Sequence, residues 1–265
     1  MPSGPRGGLA VRRPRLRYDP RMNWSDEGIV LSVRAHGETA AVAELMTRGH
    51  GRHLGLVHGG RSRRSRPILQ TGNHVDAVWK GRLAEQLGAL TLELRRGFAA
   101  EAMGSAAALA ALTSLAALAR LLPERDPHPN LFEVTLFVLG FINDPEVWPA
   151  LMVRWELALL EELGFGLDLG TCAATGVSDD LIYVSPRSGR AVSREAGEPY
   201  KDKLLALPSF LSGRVTTKTT AEDTAAGFAL TGHFLETRVL GPRDLSMPET
   251  RHRMLEVLAK GKHQP

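Results

Sequence analysis

Arg61, Arg63, Arg64 and Arg66 place four guanidinium groups within six residues, in the run Gly-Gly-Arg-Ser-Arg-Arg-Ser-Arg. Such a run repels itself and resists burial, so it faces solvent or an anion. Between Glu44 and Asp76 there is no acidic residue, while Arg48, Arg52, His50, His53, His58 and His74 add to the four arginines. A plain solvated loop would accept such residues. The missing carboxylates point further, to an external polyanion, of which phosphate backbones are the commonest. Arg34 before the run and Lys80 and Arg82 after it extend the same candidate surface.

Other chemistry is thinly represented. Gly49, Gly51 and Gly55 do not have the dinucleotide-binding spacing, and no phosphate-loop Gly-Lys-Ser/Thr occurs. No Gly-x-Ser-x-Gly elbow is present either. Asp179 and Asp180 are adjacent in a turn-like stretch, which suits exposure better than paired acid–base work. Strand alternation sends His53 and His58 to opposite faces with no Cys or carboxylate beside them, so they read as donors near phosphate and not as metal ligands. The expectation is a protein that is not an enzyme and needs no cofactor.

The segment carrying the arginines must be folded to hold them in place. Ile29, Leu31 and Val33 alternate with wetter neighbours, as do Ala41, Ala43 and Leu45, then Val75, Ala77 and Trp79, then Leu90, Leu92 and Leu94. Side chains on a strand point to opposite faces with period two. A short run, His53 to His58, lies between glycine pairs that mark turns. Five short strands with glycine-rich corners fit the five-stranded Greek-key barrel called the OB-fold. Trp79 alternates with the inward set, so base stacking has few aromatics to use.

At 265 residues the chain has room for two domains. The net charge of +4 is unevenly spread: residues 22–100 hold eleven Lys/Arg against seven Asp/Glu, and residues 101–165 hold three against nine. Residues 1–21 carry six Arg against one Asp, with Pro and Gly and no period, which predicts a disordered basic extension. It is either a genuine arm or an artefact of start-site choice before Met22. Residues 22–98 form the barrel domain, and residues 99–265 a helical domain with an insertion at about 166–200. The uncharged run 102–119 is alanine-rich, which predicts a buried helix within 99–122 and no membrane span. Asn130 with Glu133, and Asp144 with Pro145, predict two further helix starts, and Thr220 with Asp223 another. Trp148, Met152, Trp155 and Leu159 recur at helical spacing and read as core. The last helix runs from about Glu249, with Lys260 and Lys262 suited to its C-terminal dipole. Cys172 is the only cysteine, which points to a reducing, cytoplasmic setting.

Several short motifs are more specific. They are Asp26-Glu27-Gly28-Ile29-Val30-Leu31, Arg34-Ala35-His36-Gly37-Glu38, Gly49-His50-Gly51-Arg52, Gly55-Leu56-Val57 with Gly59-Gly60, and Leu69-Gln70-Thr71-Gly72-Asn73. Towards the C-terminus come Glu161-Glu162-Leu163-Gly164-Phe165-Gly166-Leu167-Asp168-Leu169, Cys172 and Phe234-Leu235-Glu236. In this order, over about Trp24 to Arg253, the chain resembles the RecO family of recombinational DNA repair mediators. The resemblance implies an α+β multidomain architecture: an OB-fold, a helical domain and a zinc-ribbon-like insertion. It also implies binding of single- and double-stranded DNA, strand annealing and action with RecR and RecF. Displacement of single-strand-binding protein for RecA loading, in a bacterial nucleoid-associated setting, belongs to the same picture. The insertion is degenerate here. Two Cys-x-x-Cys pairs are common in the family, but Thr175, Ser193 and Ala196 stand beside the lone Cys172. One thiolate does not hold tetrahedral zinc, so no structural zinc is expected.

The expected DNA contacts are Arg34, Arg48, Arg52, Arg61, Arg63, Arg64, Arg66, Lys80 and Arg82. Annealing makes no covalent bond; it needs two polyanions held close, with cations offsetting their repulsion. The alternative is an adaptor of the replication and repair machinery whose helical domain grips partners, including the tail of single-strand-binding protein.

Overall fold

The computed structural model describes residues 22–83, 86–212 and 219–261. The basic extension 1–21 and Lys262 lie outside the described residues. Five strands come first: β1 (Met22–His36), β2 (Ala40–Thr47), β3 (Gly51–Val57), β4 (His74–Gly81) and β5 (Gly88–Arg96). They close into a barrel in the order β1-β2-β3-β5-β4. This is the expected OB-fold. β1 is long because it serves two neighbours, β4 along residues 22–29 and β2 along 28–36, with a register shift between Val30 and Ser32. Closure removes the free edges that an open sheet would expose. The last pairing is parallel, Gly55 with Gly88 and Leu56 with Ala89. It needs a glycine, since a Cβ on Gly55 would come within 2.7 Å of Leu90. Inside are Val30, Ala41, Ala43, Leu45, Val75, Ala77, Trp79 and Leu90, mostly small residues suited to a tight barrel.

The helical part comprises α1 (Phe98–Ala102), α2 (Ala106–Ala119), α3 (Pro129–Gly140), α4 (Trp148–Glu162), the short α5 (Arg194–Gly197), α6 (Ala221–Phe234) and α7 (Glu249–Gly261). The expected single helix over 99–122 is two, because Ser105 caps α2 by accepting from the Ala108 N–H. The expected box of Asn130 with Glu133 does not form. α3 starts at Pro129, with no side-chain cap, and Glu133 turns instead to Arg48. Asp144 holds a turn through the Glu146 N–H at 3.1 Å, and α4 starts at Trp148. Thr220 and Asp223 do form the reciprocal capping box of α6. Trp148, Met152, Trp155 and Leu159 are all buried core. The outer face of the barrel enters the same core. Ile29, Leu31 and Met46 pack with Leu112, Leu115 and Phe132, not with the barrel interior.

The insertion is a three-stranded sheet of β6 (Leu181–Val184), β7 (Ala191–Ser193) and β8 (Leu205–Ala206), in the order β7-β6-β8. Among the described residues no helix is long and apolar enough to cross a membrane.

His53 lies at one end of the barrel core. Its ring stands edge-on to Trp24 and to Trp79, each centroid 5.1 Å away, and neither ring nitrogen makes a well-formed hydrogen bond. Burial pushes its pKa below the ordinary 6.5; the Arg125 charge adds to this, and the His50 backbone and Glu124 do not offset it. His74 is also lowered, chiefly by burial, despite Glu27 beside it. A histidine depressed in the folded state contributes stability above its unfolded pKa and loses it as pH falls towards the folded value. The melting temperature should therefore fall between about pH 7 and pH 5, and His53→Phe should shrink that fall. Melts followed by circular dichroism check it; an equal fall in the variant would exclude His53 as the cause.

Candidate nucleic-acid interface

The arginine run forms a wound loop built onto the barrel. After β3, Gly59 takes φ +65°. Turns then succeed one another: Ser62 N–H donates to Gly59 at 2.9 Å, Arg66 to Ser62 at 3.1 Å, and Leu69 to Ser65 at 3.0 Å. Arg61 seats the loop on the β1–β2 turn. Its N–H donates to Thr39 at 3.0 Å, and its guanidinium to the Gly37 and Glu38 carbonyls at 3.1 and 2.9 Å. Ile68 and Leu69 anchor the far side in the barrel core. Asn73 is buried and ties three segments together. Its amide donates to Pro67 at 2.8 Å and Ile68 at 3.2 Å, and its oxygen accepts from the Ala99 N–H at 3.1 Å. Gly72 beside it takes φ +86°, and its N–H donates to Val30 at 2.7 Å. Arg63, Arg64 and Arg66 are exposed, and among the described residues none of the three pairs with a carboxylate.

Arg34 is exposed on β1 opposite Val42, close to the turn on which Arg61 rests. Lys80 opposes Asn23 and, like Arg82, is exposed. Arg34 and Lys80 thus mark opposite ends of β1, separated by eleven strand positions.

The family models agree with this architecture. The one described as Recombination protein O N terminal matches residues 22–98, and Recombination protein O C terminal matches 103–246. A DNA repair protein RecO of Methylobacterium nodulans is 57% identical over 234 residues, covering 87% of this chain and 95% of that protein. One of Rhodospirillum centenum is 56% identical over 238 residues, covering 89% and 94%. One of Rhodopseudomonas palustris is 51% identical over 247 residues, covering 92% and 99%. The chain belongs to the RecO family. That membership places it in DNA repair and recombination.

Two of the expected DNA contacts have another job in this RecO chain. Arg52 is ion-paired with Glu44, donates Nε to the Leu122 carbonyl at 2.9 Å and lies 3.6 Å from Glu124. Glu44 is almost fully buried and also accepts from Arg120 at 2.8 Å and Ser32 at 2.9 Å. Burial raises its pKa, but the Arg52 and Ser32 hydrogen bonds and the two arginine charges outweigh this and hold it below the usual range. Arg48 lies over the Phe132 ring at 5.1 Å and pairs with Glu133 and, at 3.4 Å, with Glu27. Both arginines therefore bind the barrel to the helical domain. The histidines divide likewise. His53 is core, and His50 stacks on Trp24 at 4.3 Å while pairing with Asp26 at 2.8 Å. His74 reaches Glu27 at 3.1 Å, and His58 alone of the four is exposed.

The insertion does not fit zinc. Cys172 is buried; its sulfur accepts from the Ser193 N–H at 3.3 Å, and its thiol donates to the Ser193 hydroxyl oxygen at 3.4 Å. Burial pushes the thiol up, but these bonds, with donors from Thr175 and Ala174, bring it down to about 6. Hydroxyl groups thus face the sulfur where a metal would need further thiolates. Among the described residues no group of three His, Cys, Asp or Glu is placed to hold a metal ion.

The division of the arginines is measurable. Arg52→Gln should lower unfolding stability by about 3 kcal/mol, because it leaves a buried carboxylate short of a partner. Arg63→Gln and Arg64→Gln should each stay within about 0.5 kcal/mol of the parent. Urea titrations decide; equal losses at all three would contradict the assignment.

Proposed function

We propose that this RecO protein binds single- and double-stranded DNA through the arginine loop and anneals complementary strands without covalent chemistry. The observation that carries this reading is the loop itself: exposed Arg63, Arg64 and Arg66 on a wound, anchored scaffold, unpaired among the described residues. A self-repelling cluster held in place in this way is organised for a polyanion. Arg34 and Arg61 extend it at one end of β1, and Lys80 and Arg82 supply a second foothold at the other. Stacking contributes little, since Trp79 is fully buried and Trp24 is half-buried beneath His50. Affinity comes from phosphates, so it is weakly sequence-selective and steeply salt-dependent. In the cell the protein works with RecR and RecF to load RecA onto strands coated by single-strand-binding protein. Replacing Arg61, Arg63, Arg64 and Arg66 together by Gln should flatten the slope of log affinity against log salt by roughly 0.7 for each single-strand phosphate that is no longer neutralised. An unchanged slope, read by fluorescence anisotropy, removes the loop from the interface.

A second surface supports the adaptor reading alongside the first. A groove of about 920 Å³ runs between α6 and α7, lined by Phe228, Leu255 and Leu258, with Pro149 closing one side. It suits a short apolar peptide end, and we assign it to the tail of single-strand-binding protein. Leu258→Glu should weaken a tail peptide at least tenfold, the worth of about 1.4 kcal/mol, while DNA affinity holds. Calorimetric titration with the peptide tests this, and equal affinity for both proteins would refute it.

A further inference from the structure

We propose that His50 carries a stacking position for one nucleobase, at the outer end of a column of three parallel rings that rises from the barrel core. This rests on the DNA-binding reading above and adds a contact that no phosphate makes. The column starts at Trp79, which is fully buried and donates its indole N–H to the Leu54 carbonyl at 3.2 Å. Trp24 stacks on Trp79, with ring centroids 5.9 Å apart and planes 8° from parallel. His50 stacks on Trp24 at 4.3 Å and 11°. Exposure rises along the column, from the buried Trp79 through the half-buried Trp24 to the His50 side chain at 37%. His53 stands edge-on to both tryptophans and holds them in line. Both tryptophans are out of a base's reach, but the outer face of His50 is not.

The ring of His50 is fixed in this plane. One carboxylate oxygen of Asp26 lies 2.8 Å from its Nδ1 and also accepts the Gly49 N–H at 2.8 Å. The His50 N–H donates to the Thr47 hydroxyl at 3.1 Å. Gly51 follows at φ +67°, pressed so closely on Asp126 that a Cβ would come within 2.3 Å of its backbone. The turn is therefore held on both sides of the histidine. Trp24 covers one face of the ring and Asp26 one edge, which leaves the other face bare. Lys80, one position along β4 from Trp79, is exposed at the same end of the barrel and supplies a cation for the phosphates of a strand crossing it. Every base has a π-face, so a contact of this kind tolerates any sequence. Stacking uses the face of the base and leaves its pairing edge free, as annealing requires.

The test uses the full-length protein and two single strands with the same number of phosphates, an oligothymidylate and the same backbone carrying abasic sites. By fluorescence anisotropy the parent should prefer the base-bearing strand about fivefold, the lower end of the range for one stacked base. His50→Ser should bind both strands as the parent binds the abasic one, with its salt slope unchanged, since phosphates set that slope. His50→Phe should keep the preference. Should the serine variant melt at a lower temperature than the parent, the parent comparison and the phenylalanine variant decide alone. Equal affinity of the parent for the two strands overturns the stacking position, and so does a serine variant that still prefers the base-bearing strand. A preference lost in both variants assigns His50 to a hydrogen bond with a base edge, and the stacking position falls. These results leave the arginine loop untouched, whereas a parent that binds neither strand overturns the wider reading as well.

Discussion

The architecture depends on one buried carboxylate. Glu44 points out of β2, away from the barrel interior, and would be a surface residue in an isolated barrel. Here it is covered, and three groups from separate segments converge on it: Ser32, Arg52 and Arg120. Removing a carboxylate from water costs several kcal/mol, which is recovered only when its lone pairs are all engaged. The barrel supplies two of the donors, and the end of α2 supplies the third. The joint is therefore complete only when the helical domain is docked in one position. Around it Ile29, Leu31 and Met46 provide the apolar area, and the carboxylate provides the register.

That docking decides which faces of the barrel stay open. Small OB barrels commonly bind ligands on the face of strands 2 and 3 and on the flanking loops. In this protein α2 packs against β1 and α3 against β2, so helices cover part of the barrel's outer face. The same docking sorts the cations. Barrel carboxylates Glu27 and Glu44, joined by Glu133 and Glu124 from the acidic middle of the chain, neutralise Arg48 and Arg52, and none among the described residues reaches Arg63, Arg64 or Arg66. The uneven charge along the chain is thus converted into a neutral joint and a basic end.

Most of the barrel was legible in the sequence because its signal is local. Period-two alternation identifies strands, and closure follows from their number and the glycine corners. The inward position of Trp79 followed from the same alternation. The boundaries of the helices were less legible. Asn130 and Glu133 have capping spacing, yet Pro129 starts the helix two residues earlier and leaves Glu133 free to meet Arg48. The candidate site was legible as a composition and not as a set of residues. Arg52 and Arg64 look alike in a charge count. What separates them is Leu122 and Glu124, some seventy positions further on, and no local pattern reports that pairing.

Asn73 shows the same limit from the other side. In the sequence it stands only as the end of a short motif, Leu69-Gln70-Thr71-Gly72-Asn73, yet its side chain binds both the arginine loop and the start of α1. An unsatisfied buried amide would cost about 1–3 kcal/mol, so the loop and the helix are coupled through one residue. Arginines on a free coil would collapse onto the nearest carboxylates or spread apart. Held between Asn73 on one side and the β1–β2 turn on the other, they keep their mutual repulsion, which under the proposed function an arriving phosphate chain would relieve. The stability of the barrel thus sustains a charge arrangement that is unfavourable on its own.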